Sequence, residues 1–337
     1  MTSSPPRIAV LDDTQDVAER SADWSLLKGR AEVEVFRSPF RDEDDAAQTL
    51  APFRIIVPMR ERTSFPASLI RRLPNLRMIA LTGARAPTLD VAACTARGVI
   101  VCNTAMNSAA ATAELALALM LACARSIPRA DAVMRSGGWH EGVPVGHALA
   151  GKQLGIVGLG KLGSRVAGYG KALGMEVVAW SQNLTEEAAI AKGVRYIAKE
   201  ELFATSDVIS LHLVLSERTR SLVGATELAA MKAGAILVNT SRGPIVDATA
   251  LLAELRRGRI VAGLDVYDRE PLAADSPFRE LPNVVLTPHL GYAVKPVFEQ
   301  IYAESVENID AFLNGRPIRV LNPEALAPAS PGPAAVA

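Results

Sequence analysis

Side chains that could exchange protons and bind anions follow buried strands in the second half of the sequence. Arg242 follows one apolar run and His289 another, and Asp265 and Glu270 lie between them. Ligands of open α/β sheets bind beyond the carboxyl ends of the strands, so these groups could converge. An arginine fork binds a carboxylate, and a histidine exchanges a proton with a carbonyl oxygen while a carboxylate fixes its tautomer. This set is what reduction of a small 2-oxo acid requires.

Taken singly, each of these residues has an ordinary structural explanation. An arginine after a strand more often forms a surface ion pair, a lone histidine is more often structural, and an acid before a proline can belong to a turn. The functional interpretation therefore depends on their sequence contexts, which are NTSRG around Arg242, DVYDREP around Glu270 and TPHLG around His289.

A glycine-rich turn predicts a nucleotide site. The sequence LGIVGLGKLG ends an apolar strand and opens a helical pattern, which places Gly158, Gly160 and Gly163 in the order G-x-G-x-x-G. The first glycine permits the tight turn, the second lets a pyrophosphate approach the backbone, and the third lets helix and strand pack closely. Glycine turns also occur in purely structural loops, but this strand–turn–helix context predicts dinucleotide binding. We expect Leu159, Lys161 and Leu162 to belong to the same site.

The residues that choose between NAD and NADP follow the next strand. Ser181, eighteen residues after Gly163, stands where an acid would bond the adenosine ribose and repel a 2′-phosphate, and Gln182 and Asn183 follow it. Without a carboxylate a 2′-phosphate is not repelled, and without a basic residue before Thr185 it is not attracted. The segment leaves both cofactors open and slightly favours NAD.

Short apolar runs alternate with helical patterns along the whole chain, which predicts two Rossmann-like, doubly wound parallel-sheet α/β domains. The predicted strands are 7–10, 32–36, 54–58, 76–81 and 100–102 in a first series, and 153–157, 176–180, 194–196, 208–211, 235–239, 261–264 and 284–286 in a second.

Composition narrows the functional classes. Lys+Arg and Asp+Glu each number 36, so no excess charge directs the chain to nucleic acid or to a membrane surface. The apolar stretch 113–124 is too short to span a bilayer, and the start lacks the features of a secretory signal. Three cysteines without a spaced pattern indicate core thiols and no metal site. We expect a cytoplasmic protein.

The four motifs GLGKLG, NTSRG, DVYDREP and TPH, in this order, resemble the D-isomer-specific 2-hydroxyacid dehydrogenase family, and the resemblance covers nearly the whole chain. It implies that Arg242 binds the substrate carboxylate, that His289 is the acid/base and that Glu270 is its partner. It also implies that Asp265 lies near the nicotinamide amide. Further cofactor contacts are implied at Thr112, His212, Leu213, Val214, Thr219, Thr240, Ser241 and Gly291.

In the first series, the resemblance implies substrate contacts at Arg60 and in the loop of Gly83, Ala84 and Arg85. For both arginines a solvated surface charge is the alternative. The loop match is imperfect because Arg85 replaces part of a glycine-rich turn, and Val214 stands where family members often have proline. An acid at Glu270 disfavours the formate dehydrogenase branch, which carries an amide there.

The resemblance also implies the domain organisation. Residues 1–106 and 294–322 would form a discontinuous substrate-binding domain, residues 107–293 the dinucleotide-binding domain, and residues 323–337 a Pro/Ala-rich tail, with a cleft between the domains. A homodimer packed through the cofactor domains is expected. Trp139, His140 and His147 are open between structural roles and substrate contact. The alternative function is a corepressor-like protein of the same fold that senses NAD(H).

Overall fold

The computed structural model describes residues 5–85 and 87–326, which divide into two units. One unit contains the chain up to Asn107 together with the part from Val294 onward, and the other is Ser108–Ala293. The predicted tail lies outside the described residues from 327 onward, while Pro323–Leu326 forms a 3-10 helix.

The first unit is a five-stranded parallel sheet in the order β2-β1-β3-β4-β5. Its centre is apolar on both faces, as expected for a parallel sheet covered by helices. Its strands are β1 (Arg7–Val10), β2 (Glu32–Val35), β3 (Ile55–Val57), β4 (Met78–Ala80) and β5 (Ile100–Cys102). Its helices are α1 (Ala18–Ser21), α2 (Glu43–Leu50), α3 (Ala67–Arg71), α4 (Val91–Ala96) and the C-terminal α12 (Lys295–Leu313), with a 3-10 helix at Trp24–Leu27.

The second unit is a seven-stranded parallel sheet in the order β12-β11-β10-β9-β6-β7-β8. Its strands are β6 (Gln153–Val157), β7 (Glu176–Trp180), β8 (Arg195–Tyr196), β9 (Val208–Leu211), β10 (Ile236–Asn239), β11 (Val261–Leu264) and β12 (Val284–Leu286). Its helices are α5 (Ala109–Arg125), α6 (Ile127–Arg135), α7 (Lys161–Ala172), α8 (Glu186–Ile190), α9 (Lys199–Thr205), α10 (Ala225–Ala230) and α11 (Ala248–Arg256), with 3-10 helices at Gly243–Ile245 and Pro277–Glu280.

The strand order of the second unit reverses beside β6, since β7 lies on one side of it and β9 on the other. Such a switch point leaves a crevice at the carboxyl edge of the sheet, where open α/β proteins bind ligands. The fold class predicted from the alternating pattern is confirmed.

Helix α5 is the central covering helix of this sheet. Its Ala-rich inner face, with Leu119 and Met120, packs into the core, and a left-handed Ser126 ends it and turns the chain into α6. Burial raises the pKa of the Cys123 thiol on this face to about 12, which makes it a core group rather than a reactive one. Among the described residues no single helix has the length and apolarity to cross a membrane, although the pair α5 and α6, bent by 64°, meets that test by length and composition.

Candidate active site

The glycine turn connects β6 to α7 and leaves room for a ligand. Gly158 has φ +102°, and a Cβ there would lie 2.5 Å from the His212 carbonyl oxygen. A Cβ on Gly163 would lie 2.0 Å from the Gly158 carbonyl oxygen, so only glycine lets α7 pack this closely. A Cβ on Gly160 would meet no atom within 4 Å. The space in front of Gly160 and the uncapped amides at the start of α7 fit a pyrophosphate.

Two buried polar atoms near this turn lack a protein partner among the described residues. They are His212 Nδ1, just after β9, and Thr240 Oγ1, just after β10. The other ring nitrogen of His212 lies 2.9 Å from Ser210 Oγ, and burial lowers the pKa of His212 to about 3, which keeps its ring neutral. Because buried polar atoms are rarely left unpaired, both atoms fit contacts to a bound cofactor.

Several other predicted cofactor residues stabilise the loops around this crevice. Thr219 Oγ1 accepts from the Ser216 amide at 2.8 Å and donates to the Val214 carbonyl at 2.7 Å. The Ser241 hydroxyl donates to the Leu211 carbonyl at 2.7 Å. These contacts give the two residues a structural role that the sequence did not indicate, whereas Val214 is exposed and Leu213 packs against the core.

The turn after β10 fixes the position of Arg242. Its carbonyl oxygen accepts from the Asn239 side-chain amide at 3.0 Å, and its guanidinium donates to the Ser241 carbonyl at 2.8 Å. A Cβ on the following Gly243 would lie 2.0 Å from the Tyr267 carbonyl carbon, so this turn packs directly on the segment that leads to Glu270. The positive charge of Arg242 contributes to lowering the pKa of the Glu270 carboxyl group.

His289 and Glu270 form a hydrogen-bonded pair. His289 Nδ1 lies 2.6 Å from Glu270 Oε2, and Glu270 Oε1 accepts from the Tyr267 amide at 2.9 Å. Burial acts to raise the pKa of Glu270, but the hydrogen bond and charge of His289, the Tyr267 amide and Arg242 together lower it. The ionised carboxylate therefore holds a proton on His289 Nδ1 and leaves Nε2 for a reacting group. The His289 side chain is 27% exposed.

Asp265 organises the loop that carries His289. One of its carboxylate oxygens accepts from the Thr287 hydroxyl and the Leu290 amide, both at 2.7 Å, and the other from the Gly291 amide at 2.9 Å. His289 itself has φ +55°, a conformation that non-glycine residues seldom adopt. The Asp265 contacts offset that strain, because its backbone carbonyl also accepts from the His289 amide at 2.9 Å.

The loop after β12 has further supports. The Thr112 hydroxyl, in the first turn of α5, donates to the Gly291 carbonyl at 2.9 Å. The Tyr267 hydroxyl bridges the carbonyls of Leu264 and Thr287 at 3.1 and 2.9 Å. Neither Tyr267 nor Thr287 was predicted as a site residue, because a support made through backbone carbonyls leaves no signature in the sequence.

The remaining predicted substrate residues lie in the first unit, after β3 and β4. The Arg60 amide donates to Thr82 Oγ1 at 2.9 Å, and a Cβ on Gly83 would lie 2.2 Å from Arg60 Nη1, so these two residues are neighbours. The Ala84 carbonyl accepts from the Asn103 side-chain amide at 3.4 Å, and Arg85 is exposed. The described residues contain no cluster of ligands for a metal ion.

Segment 181–183 lies at the end of β7, beside a loop that is distant in sequence. Ser181 is half-buried, and Gln182 and Asn183 are exposed. The Gln182 side-chain amide donates to the Arg218 carbonyl oxygen at 3.3 Å. No sequence pattern predicted this contact, which joins residues 36 positions apart.

A glycine turn at the switch point of a parallel sheet, beside buried His212 and Thr240 atoms that lack a partner among the described residues, defines a Rossmann-type dinucleotide-binding fold. The family model for the D-isomer specific 2-hydroxyacid dehydrogenase NAD binding domain matches residues 117–291. The chain belongs to the D-isomer specific 2-hydroxyacid dehydrogenase family, as its sequence motifs predicted.

Individual relatives agree with this assignment. The chain is 39% identical to a glyoxylate reductase of Aeropyrum pernix, with 86% of each protein covered. It is 36% identical to a D-3-phosphoglycerate dehydrogenase of Archaeoglobus fulgidus over 90% of its own length, and it spans 57% of that protein. The crystal structure of a phosphoglycerate oxidoreductase from Vibrio cholerae matches it with a TM-score of 0.87 at 37% identity, covering 92% of this chain and 99% of the other.

Proposed function

We propose that this protein interconverts a small 2-oxo acid and the corresponding D-2-hydroxy acid, with His289 as acid/base and Arg242 as the carboxylate-binding residue. The observation that carries the proposal is the 2.6 Å hydrogen bond between His289 and an ionised Glu270, within the field of Arg242. A bound nicotinamide cofactor supplies or accepts the hydride at the substrate C2.

The residues of the chain have separate tasks in this reaction. The Arg242 fork binds the carboxylate and draws electron density from the neighbouring carbonyl. His289 Nε2 gives a proton to the carbonyl oxygen during reduction and removes it during oxidation, while Glu270 stabilises the imidazolium through Nδ1. Asp265 holds the loop so that the ring keeps its position. Arg60 and the backbone of Gly83 and Ala84 are proposed substrate contacts, with Arg85 at the edge of that loop.

Similarity to relatives supports the substrate class. The names glyoxylate reductase and hydroxypyruvate reductase both designate enzymes of short 2-oxo acids, and they occur among relatives that are 37–39% identical to this chain. We therefore propose glyoxylate and hydroxypyruvate as the first substrates to test, with NAD(H) and NADP(H) as cofactors in parallel.

His289→Ala provides the direct test. We expect turnover to fall by at least ~100-fold, the lower end of general acid–base contributions, while cofactor affinity changes by a few-fold at most. His147→Ala is the control, because His147 is an exposed histidine of the loop after α6. Unchanged turnover in the His289 variant would refute the mechanism. A wild-type protein that binds cofactor but reduces no acid in a broad 2-oxo acid panel would instead be the sensing, corepressor-like alternative.

We also propose that the protein is a homodimer. Helix α6 contains no buried residue, and apolar side chains of α6 and the loop after it face outward, with Ile127 at 53%, Trp139 at 63% and Val145 at 94% exposure. Several exposed apolar side chains in one segment of the chain are typical of a protein interface, and a second copy of the chain is the proposed occupant.

A further inference from the structure

We propose that the loop 214–220 forms a 2′-phosphate subsite with Arg218 as its cation, so that the enzyme binds NADPH in preference to NADH. This inference rests on the proposed dinucleotide site and deepens it. The segment at the end of β7 contains no acid that would repel a 2′-phosphate, and its own polar residues, Ser181 and Asn183, could donate hydrogen bonds to one.

Loop 214–220 brings a cation to that segment. The Gln182 side chain donates to the Arg218 carbonyl oxygen, so the backbone of Arg218 lies directly against the residue that follows Ser181. The Arg218 side chain is exposed, and no described carboxylate forms an ion pair with it. An arginine near this strand end is the usual partner of a 2′-phosphate, because its fork binds phosphate oxygens in pairs.

The loop is held rigidly enough to act as a site. Thr219, the residue after Arg218, is buried, and its hydroxyl bonds to the Ser216 amide and the Val214 carbonyl. The amides of Thr219 and Arg220 both donate to the Ser216 carbonyl, at 3.0 and 2.9 Å. The backbone of Arg218 is therefore fixed by the folded loop, which reduces the entropy that phosphate binding would cost.

Other charges at this end of the sheet agree with an anion site. Lys192 Nζ donates to the Leu159 carbonyl inside the glycine turn, which adds a second cation. Glu217 is the one acid in loop 214–220, against Arg218 and Arg220. Arg220 lies near a different group, the carboxylate of Asp268. Desolvation raises the pKa of Asp268, and the positive charge of Arg220 acts in the opposite direction. Arg220 is thus a matched control for Arg218.

The test measures binding of two cofactor fragments, 2′,5′-ADP and 5′-ADP, by isothermal titration calorimetry on the full chain. We expect the wild-type protein to bind 2′,5′-ADP at least about tenfold more tightly, in line with a charge-assisted contact. Arg218→Ala should remove most of that preference and Arg218→Glu should reverse it, while 5′-ADP affinity stays within about twofold. Arg220→Ala should keep the preference. The ratio of kcat/KM for NADPH and NADH should change in parallel.

The outcomes separate the two proposals. Equal affinity for both fragments, or a preference that persists in Arg218→Ala, would overturn the 2′-phosphate subsite and leave the dinucleotide site intact. Failure of the wild-type protein to bind either fragment would overturn the dinucleotide site itself.

Discussion

At the scale of single residues, Asp265 shows how a buried carboxylate holds the loop that carries His289, the proposed acid/base. We expect Asp265→Asn to replace one oxygen with a donor that faces a backbone amide, leaving that amide unpaired at a cost of about 1–3 kcal/mol. The free energy of unfolding in urea should fall by that amount. Turnover should also fall, because the loop that holds His289 in its left-handed conformation loses a hydrogen bond to residue 265.

Asp268→Asn is the matched control for this variant. Asp268 lies three residues further along, and its carboxylate accepts no hydrogen bond among the described residues, so its amide variant should change stability by less than about 0.5 kcal/mol. Equal stability of the two variants would show that the carboxylate of Asp265 does not hold the loop.

His212 predicts a specific acid sensitivity of the fold. Its pKa is about 3 in the folded chain because of burial and about 6.5 in the unfolded chain. The unfolded state therefore binds a proton as pH falls below 6.5 while the folded state does not, and stability decreases until pH 3. Between pH 7.5 and 5.5 this one group should cost about 1.4 kcal/mol.

The measurement compares urea unfolding of the wild-type protein and His212→Gln at pH 7.5 and 5.5. The variant should lose less stability on acidification by roughly that difference. The exposed His147 provides the comparison, since His147→Gln should lose as much stability between pH 7.5 and 5.5 as the wild-type protein does. Parallel acid losses in all three proteins would contradict a buried neutral His212.

At the scale of secondary-structure elements, the close packing of α7 on β6 depends on one missing methyl group. Gly163→Ala would place a Cβ 2.0 Å from the Gly158 carbonyl oxygen, so helix and turn must separate, at a cost of about 1–3 kcal/mol. Gly168→Ala, in the same helix, meets no atom within 4 Å and should stabilise the chain by up to about 1 kcal/mol.

Thermal unfolding and 5′-ADP binding measure this contrast. Gly163→Ala should lower the Tm and weaken 5′-ADP binding, since the proposed phosphate-binding turn would move with the helix. Gly168→Ala should raise the Tm and leave binding unchanged. A tolerated alanine at Gly163 would mean that the glycine spacing reflects something other than helix–strand contact.

Sequence patterns located strands best where an apolar run ends at the same residues as the hydrogen-bonded ladder. The strands Gln153–Val157 and Val261–Leu264 form with the predicted bounds, and so does the edge strand Val284–Leu286. The prediction was less accurate where apolar residues are buried beyond the end of the ladder: strand 194–196 is reduced to Arg195–Tyr196, and strand 76–81 to Met78–Ala80, although the apolar ends of both runs are buried. Apolarity predicts burial, and it does not encode where strand pairing ends.

At the scale of the whole molecule, some residues of the candidate site could be predicted from the sequence, and others are brought together only by the folded loops. Arg242, Glu270 and His289 could be predicted because each follows a strand whose carboxyl end meets the same edge of the sheet. The contact of Gln182 with Arg218 could not, since it depends on how loop 214–220 folds around Thr219. The role of Asp265 was also hidden, because its partners are mostly backbone amides.

Helix α6 contains the apolar side chains that we assign to the proposed dimer interface. A nine-residue helix without a buried residue has too little support to be stable in isolation, and Pro128 in its first turn and the left-handed Ser126 before it define its start. Its apolar side chains Ile127 and Met134 are 53% and 51% exposed, which a second copy of the chain would cover. We therefore expect a dimer by light scattering at micromolar concentration.

Introducing negative charges on this helix tests that expectation. Ile127→Glu combined with Met134→Glu should place carboxylates in the proposed interface and shift the protein to monomers, because burying unpaired charges is strongly unfavourable. Ile190→Glu is the control, since Ile190 is 62% exposed on α8, outside the proposed interface, and its variant should remain dimeric. If the double variant is also dimeric, the copies meet through another surface. If the wild-type protein is monomeric, α6 must be stabilised by its own chain alone, and its outward apolar side chains would need a different explanation.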